Sequence, residues 1–276
     1  MTEPSATLEV RQSALNDFEL CGEMFRRKHI EKEPAYPGTA ALRGGAVHVG
    51  AQKNHEHKKA QGQDLPKKEI IDIAIAGFEE KKAKEGFRLT PDELSVGASP
   101  VLARTVESVQ TLTGLYADRV APAMKPDLIE QEAKITLPNG VVFGGRLDLS
   151  TTDNRIKDLK TSGRSKSQKD IDESLQGTQY WLLYTKLKGH EPAGFDLEVL
   201  VDLKTPKAQH LESTRTKKDV QVLINRANIM LRSVQAGLFA PAGVGSWICS
   251  PKWCPFWDTC PFVNSERMAA AAKLED

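Results

Sequence analysis

No run of about 18 apolar residues occurs anywhere in the 276-residue chain, and Met1 to Ala14 has no apolar core behind basic residues. Neither a membrane-spanning helix nor a secretion signal is therefore expected, and the expected location is the cytoplasm. A charge excess of one sign is also missing. The 38 Lys and Arg against 37 Asp and Glu leave a formal charge of +1, which excludes a globally basic surface as the basis of nucleic-acid binding. Any such site must be local. Cysteine is scarce, and four residues are too few for a disulfide framework in a chain of this length. Three of them crowd between positions 249 and 260, a pattern that in a reducing compartment points to metal ligation. What is present is ordinary for a folded chain: 39% hydrophobic and 27% charged residues predict one sizeable core, with room for an inserted lobe.

Ser13 sits where a helix N-cap belongs, and Leu15, Phe18, Cys21, Met24 and Phe25 follow at helical spacing, which puts Cys21 on the inward face of a first helix. After Pro34 and Pro37, Gly44 and Gly45 precede a helix that carries His48. A lone histidine is usually structural, and His55 and His57 among lysines read as a solvated face. Ile70 to Phe78 and Leu102 to Tyr116 give two further helices, so that about 50–125 reads as a helical lobe. The texture changes at Pro126. Leu128 to Leu137 alternates, Pro138-Asn139-Gly140 is a hairpin turn, Val141 to Ser150 returns, and Arg155 to Thr161 makes a third antiparallel strand. Gln168 to Lys188 reads as one helix stopped by Gly189, Phe195 to Leu203 as a buried strand, and Lys217 to Ala236 as a last helix. The closing MAAAAKLED is helical or frayed.

The hairpin carries the chemistry. Residues two apart on a strand share a face, so Asp158 and Lys160 project together while Leu159 points into the core. A register with Ser150 opposite Ile156, closed by a five-residue loop from Thr151 to Arg155, brings Asp148 opposite Asp158. Two carboxylates facing each other repel unless something positive lies between them, and Mg2+ or Mn2+ is the natural occupant. Asp158 and Lys160 alone could equally be a surface ion pair of small value.

The order His48, then Gly145-Arg146-Leu147-Asp148, then Ile156 to Lys160, then Gln176-x3-Tyr180 resembles the RecB-like branch of the PD-(D/E)XK nuclease superfamily, which includes CRISPR-adaptation nucleases and many phage relatives. The resemblance implies an α/β fold with a restriction-endonuclease-like αβββαβ core and a mixed sheet, as a single unit over 1–276 with the catalytic core at about 126–236. It implies a divalent-metal-dependent DNA exonuclease of recombination, repair, phage replication or CRISPR adaptation, working with DNA and with partner proteins of those processes. His48, Asp148, Asp158 and the Leu159 carbonyl are implied as metal ligands, Lys160 as catalytic, and Gln176 and Tyr180 as holding DNA or the lysine. Asp158 stands where many relatives carry Glu. Glu132 is a further acidic candidate, and Gln179 with Tyr184 is an alternative pair one residue too long for the motif. A catalytically silent DNA-binding or partner subunit is the competing reading.

Cys21 with Cys249-x4-Cys254-x5-Cys260 is similar to the one-plus-three arrangement of RecB-like nucleases that hold a 4Fe-4S cluster. Four thiolates suit iron-sulfur or zinc, but structural zinc sites supply cysteines in close pairs, which Cys21 lacks. Cys21 plus 247–263 is thus expected to form a clasp, with Trp247, Trp253, Phe256 and Trp257 as its shield. Arg164, Lys166 and Lys169, or Lys204 and Lys207, are candidate phosphate contacts.

Overall fold

Strands and helices follow one another, in a computed structural model that describes residues 9–138 and 140–263, as β1 (Glu9–Val10), α1 (Gln12–Leu20), α2 (Gly22–Phe25), α3 (Thr39–Gln61), α4 (Lys67–Glu85), α5 (Pro91–Val96), α6 (Ala98–Arg119), β2 (Pro126–Thr136), β3 (Val142–Thr151), β4 (Arg155–Ser162), α7 (Gln168–Asp172), α8 (Leu175–Lys188), β5 (Gly194–Val201), β6 (Lys207–Ser213) and α9 (Lys217–Ala236). Asn139 and the terminal MAAAAKLED lie outside the described residues.

The sheet is mixed and six-stranded among those residues, in the order β1-β3-β4-β5-β6 with β2 beside β3. β3 is its axis. β2 pairs along the whole of one edge, antiparallel, from Thr136↔Val142 to Pro126↔Thr151. The other edge is shared. β1 pairs in parallel with Val142 and Phe143, β4 pairs only at Leu149↔Lys157 and Ser150↔Ile156, and Gly144 to Asp148 between them have no strand partner on that side. Beyond Lys157, β4 leaves β3 and continues with β5 in parallel as far as Ser162↔Val201. The expected Ser150–Ile156 register is the one observed. β3 ends one residue later than expected, at Thr151, and β4 begins at Arg155, so the connection is Thr152 to Asn154, with Asn154 in the left-handed region at φ 63°.

Helices cover both faces. On one, Val47 and Ala51 of α3 and Leu112 and Tyr116 of α6 bury Leu149, Leu159 and Leu200. On the other, Tyr180, Leu183 and Tyr184 of α8 pack on Leu147, Ile156, Leu197 and Val199. α9 closes the β1 end, where Leu223 and Met230 meet Val10, Leu15 and Phe143. Each apolar stripe thus meets a strand face, which is the main source of cohesion in such a layered fold.

Several expectations are corrected. The helix bearing His48 begins at Thr39, so Gly44 and Gly45 lie inside it; a Cβ on Gly44 would stand 3.2 Å from Thr161 Oγ1, so the glycine lets α3 pass close over β4. The first helix breaks at Cys21, which is extended (φ −164°) and caps α2 through a 3.4 Å hydrogen bond from the Met24 N–H to its sulfur; Ser13 lies inside α1, whose N-cap is Arg11. The next residue, Gly22, has no room for a side chain, since a Cβ would sit 2.7 Å from the Ala240 carbonyl oxygen. The helix expected over Gln168 to Lys188 is interrupted at Glu173 and restarts with Ser174 as N-cap. His55 is buried and bonded to the Tyr116 hydroxyl at 2.8 Å. β1, α5 and β6 were not anticipated. No helix among the described residues is long and apolar enough to cross a membrane.

Candidate active site

The site occupies the unpaired stretch of β3. Where β4 departs, the register of the last two pairs continues to set Asp148 across from Asp158, close enough for each carboxyl group to act on the other. α3 brings His48 from one side, with Nδ1 3.8 Å from Asp148 Oδ2 and the Leu159 backbone near enough to favour the charged imidazole. α8 supplies the other side. Gln176 Nε2 donates to the Tyr180 hydroxyl at 2.8 Å, and that hydroxyl donates to Asp148 Oδ1 at 2.8 Å. This relay ends on Asp148, so Gln176 and Tyr180 serve the aspartate and not the lysine. Gln179 plays a different part. It is buried and donates to the Gly144 carbonyl at 2.8 Å and to Val10 at 3.4 Å, satisfying backbone left bare where β1 stops and β4 has not begun.

Lys160 Nζ stands 3.0 Å from Asp158 Oδ1, yet that oxygen receives no hydrogen bond, and Asp158 is only 1% exposed. Burial raises the Asp158 pKa and the Asp148 charge adds to it, against the lowering effect of Lys160. Burial acts to lower the Lys160 pKa, but the two aspartates outweigh it and hold the ammonium above its ordinary value. His48 is pushed down by burial, in spite of Asp148. Burial also raises the Tyr180 pKa, with the two aspartates adding to it, so its hydroxyl remains a donor.

A third carboxylate escaped the sequence reading. Ile129 pairs with Leu149 and Gln131 with Leu147, so Glu130 lies across from Asp148 on the side away from Asp158. Its backbone is left-handed (φ 47°), its side chain is 14% exposed, and Arg146 Nε stands 2.6 Å away. Burial first, and then Asp148, push its pKa up to about 7. Glu132, the acidic candidate chosen from sequence, is exposed. Counting outward from the Pro138–Gly140 turn was the signal available, because the same count that pairs Thr136 with Val142 puts Glu130 beside Asp148.

Glu130, Asp148 and Asp158 therefore form a row across β2, β3 and β4, faced by Lys160, Arg146 and a histidine disfavoured as a cation. Among the described residues, no three His, Cys, Asp or Glu side chains stand close enough to hold a metal ion as they are. The donor chemistry nonetheless fits a hard divalent cation: carboxylate oxygens, a backbone carbonyl, two buried carboxylate oxygens, Asp158 Oδ1 and Glu130 Oε2, that receive no hydrogen bond, and carboxyl pKa values raised by burial and by the charge of Asp148.

The four cysteines are free thiols, and Cys21 and Cys254 pack against one cluster with Met24, Ile248 and Phe256. Cys249 is affected by Cys260 and Cys21, and Cys254 by all three others; burial, followed by these neighbours, pushes both thiols up, with the Phe256 backbone opposing at Cys254. Arg27 ties the segment down, bonding Thr259 Oγ1 at 2.7 Å and lying 4.5 Å over the Phe256 ring. The expected aromatic shield is corrected: only Phe256 is buried, Trp257 is half-buried, and Trp247 and Trp253 face solvent. Arg164 and Lys169 follow β4, and Lys204 and Lys207 follow β5; all four are exposed, while Lys166 is half-buried.

The family model for the PD-(D/E)XK nuclease superfamily matches residues 10–261. No curated protein matches the chain. Among solved structures, the "Putative exonuclease" of Eubacterium rectale is 12% identical over 87% of this chain and 90% of that one, with a TM-score of 0.57, a likeness of fold. SSO0001 is 14% identical over 91% of this chain and 95% of its own, with a TM-score of 0.35.

Because Glu130 holds its proton to about pH 7 in the folded state and to about 4.5 when free, ionising it costs stability that is intact below pH 4.5 and lost as pH rises through 7, about 3 kcal/mol at most. Glu130→Gln is expected to raise the free energy of urea unfolding at pH 8 in chelator, with the advantage shrinking toward pH 4.5. An advantage equal at both pH values would show that the carboxylate is not under strain.

Proposed function

Since the chain belongs to the PD-(D/E)XK nuclease superfamily, we propose that it is a divalent-metal-dependent deoxyribonuclease of the RecB-like, CRISPR-adaptation type, acting as an exonuclease in cytoplasmic recombination, repair, phage replication or CRISPR adaptation. The observation that supports this best is the placement of Asp148, Asp158 and Lys160 in the gap where β4 leaves β3, with His48 and Tyr180 closing the two sides.

Mg2+ or Mn2+, when bound, would polarise the phosphodiester and acidify a water. Asp148, Asp158, the Leu159 carbonyl and His48 would hold it, and Glu130 adds negative charge beside Asp148. Lys160 is placed to orient the attacking water and to offset charge on the phosphate as it becomes pentacovalent. Gln176, through Tyr180, positions Asp148. The exposed basic residues at the ends of β4 and β5 suit contacts to phosphates, without reading of bases. A second reading, a silent DNA-binding or partner subunit, draws only on the fact that the site's side chains are not drawn to ligating distance as they stand.

Asp148→Ala and Lys160→Ala are each expected to abolish cleavage of end-labelled single- and double-stranded DNA in Mg2+ or Mn2+ while circular dichroism shows the fold retained. Full wild-type activity in either variant would remove those residues from the reaction.

A 4Fe-4S cluster on Cys21, Cys249, Cys254 and Cys260 is the second element of the proposal, supported by the packing of Cys21 and Cys254 against one cluster, Met24, Ile248 and Phe256. It joins the N-terminal helices to the segment after α9 and so closes a very long loop, restricting the unfolded chain as a cross-link does. Anaerobically purified protein is expected to contain iron and sulfide, and Cys21→Ser to lose both along with several degrees of melting temperature. Zinc without sulfide in the wild type, or an unchanged melt in the variant, would contradict the assignment.

A further inference from the structure

Trp247 and Trp253 are 58% and 50% exposed, and neither the nuclease site nor the clasp accounts for them. They stand edge to face, with ring centroids 5.5 Å apart and planes at 89°. Their backbone is held firmly. Arg88 donates to the carbonyls of Pro251, Lys252 and Trp253 at 3.2, 2.9 and 2.9 Å, and Ser250 Oγ donates to the Trp247 carbonyl at 3.0 Å. The guanidinium also covers carbonyl oxygens that would otherwise repel a phosphate. Lys252 Nζ lies 5.8 Å from the Trp253 ring, so a cation accompanies the aromatic faces.

A rigid indole with an adjacent ammonium matches the face of an unpaired base and the phosphate that follows it. Duplex DNA offers such a face only at its ends. The platform is also tied to the catalytic helix: Arg88 bridges to Gly38, immediately ahead of α3, and His48 lies about 15 Å along that helix at 1.5 Å per residue. We propose that Trp247 and Trp253 form a stacking platform for single-stranded DNA, taking unpaired bases of the strand whose phosphate backbone enters the site at Asp148 and Asp158. The inference rests on the nuclease reading for its substrate.

The test uses the full chain in chelator, so that binding is read without cleavage. A labelled oligothymidylate and a blunt duplex are titrated by fluorescence anisotropy against wild type, the double variant Trp247→Leu/Trp253→Leu and the double variant Trp247→Phe/Trp253→Phe. The leucine pair is expected to weaken oligothymidylate binding about tenfold or more, the loss that follows from removing one stacked base, with duplex binding unchanged. The phenylalanine pair should keep binding within a few-fold but lose most of the tryptophan quenching that the oligonucleotide causes in wild type, which also covers the case of a leucine variant that folds poorly. Wild-type affinity in a folded leucine variant, equal losses on both DNAs, or quenching that persists in the phenylalanine pair would overturn the platform. So would a wild type that self-associates through this patch and becomes monomeric in the leucine pair with no change on DNA. Absence of cleavage by wild type in Mg2+ or Mn2+, with oligothymidylate binding and quenching intact, would refute the nuclease reading alone.

Discussion

Three carboxylates set side by side across neighbouring strands constrain everything around them. Glu130, Asp148 and Asp158 occupy consecutive positions across β2, β3 and β4, and two of them are buried enough to hold protons well above the ordinary carboxylate range. Such a row is unfavourable unless positive charge is supplied. Lys160 and Arg146 supply part of it, and Tyr180 stabilises Asp148 by hydrogen bonding. The remainder is the electrostatic vacancy that a divalent cation suits, and strain of this kind is expected where a site is shaped for a ligand rather than for stability.

The backbone creates the place for that row. β3 has one edge filled by β2 and the other divided between β1 and β4, leaving Gly144 to Asp148 without a strand neighbour on that side. A sheet edge inside a protein must be satisfied, and Gln179 does so at Gly144 while Tyr180, one residue on, reaches Asp148. α8 thus serves the bare backbone and the carboxylate with adjacent side chains. α3 serves the opposite side, close enough over β4 to bring His48 near the Leu159 backbone.

Much of this was legible from sequence because it is local or periodic. The Pro138–Gly140 turn and the alternation on either side fixed the hairpins, and the strand period placed Asp158 and Lys160 on one face opposite Asp148. What was hidden depended on partners distant in sequence or on broken periodicity. Glu130 sits in a left-handed kink that interrupts alternation. β6, KAQHLES, is a polar edge strand with little apolar signal, and β1 is only two residues long. His55 is buried because Tyr116, 61 positions on, accepts it. The breaks at Cys21 and Glu173 carry neither glycine nor proline at the break itself. The tryptophans' exposure follows from how Arg88 folds the segment, which no window of sequence reveals.

The charge deficit of the carboxylate row is tested most directly by counting protons when Mn2+ binds. Calorimetric titration of the wild type with Mn2+ near pH 6.5, in two buffers of different ionisation enthalpy, should show binding with net release of protons, because Asp158 and Glu130 give theirs up as the cation arrives. Glu130→Gln should release fewer. Binding without proton release, or no binding at all, would contradict the account.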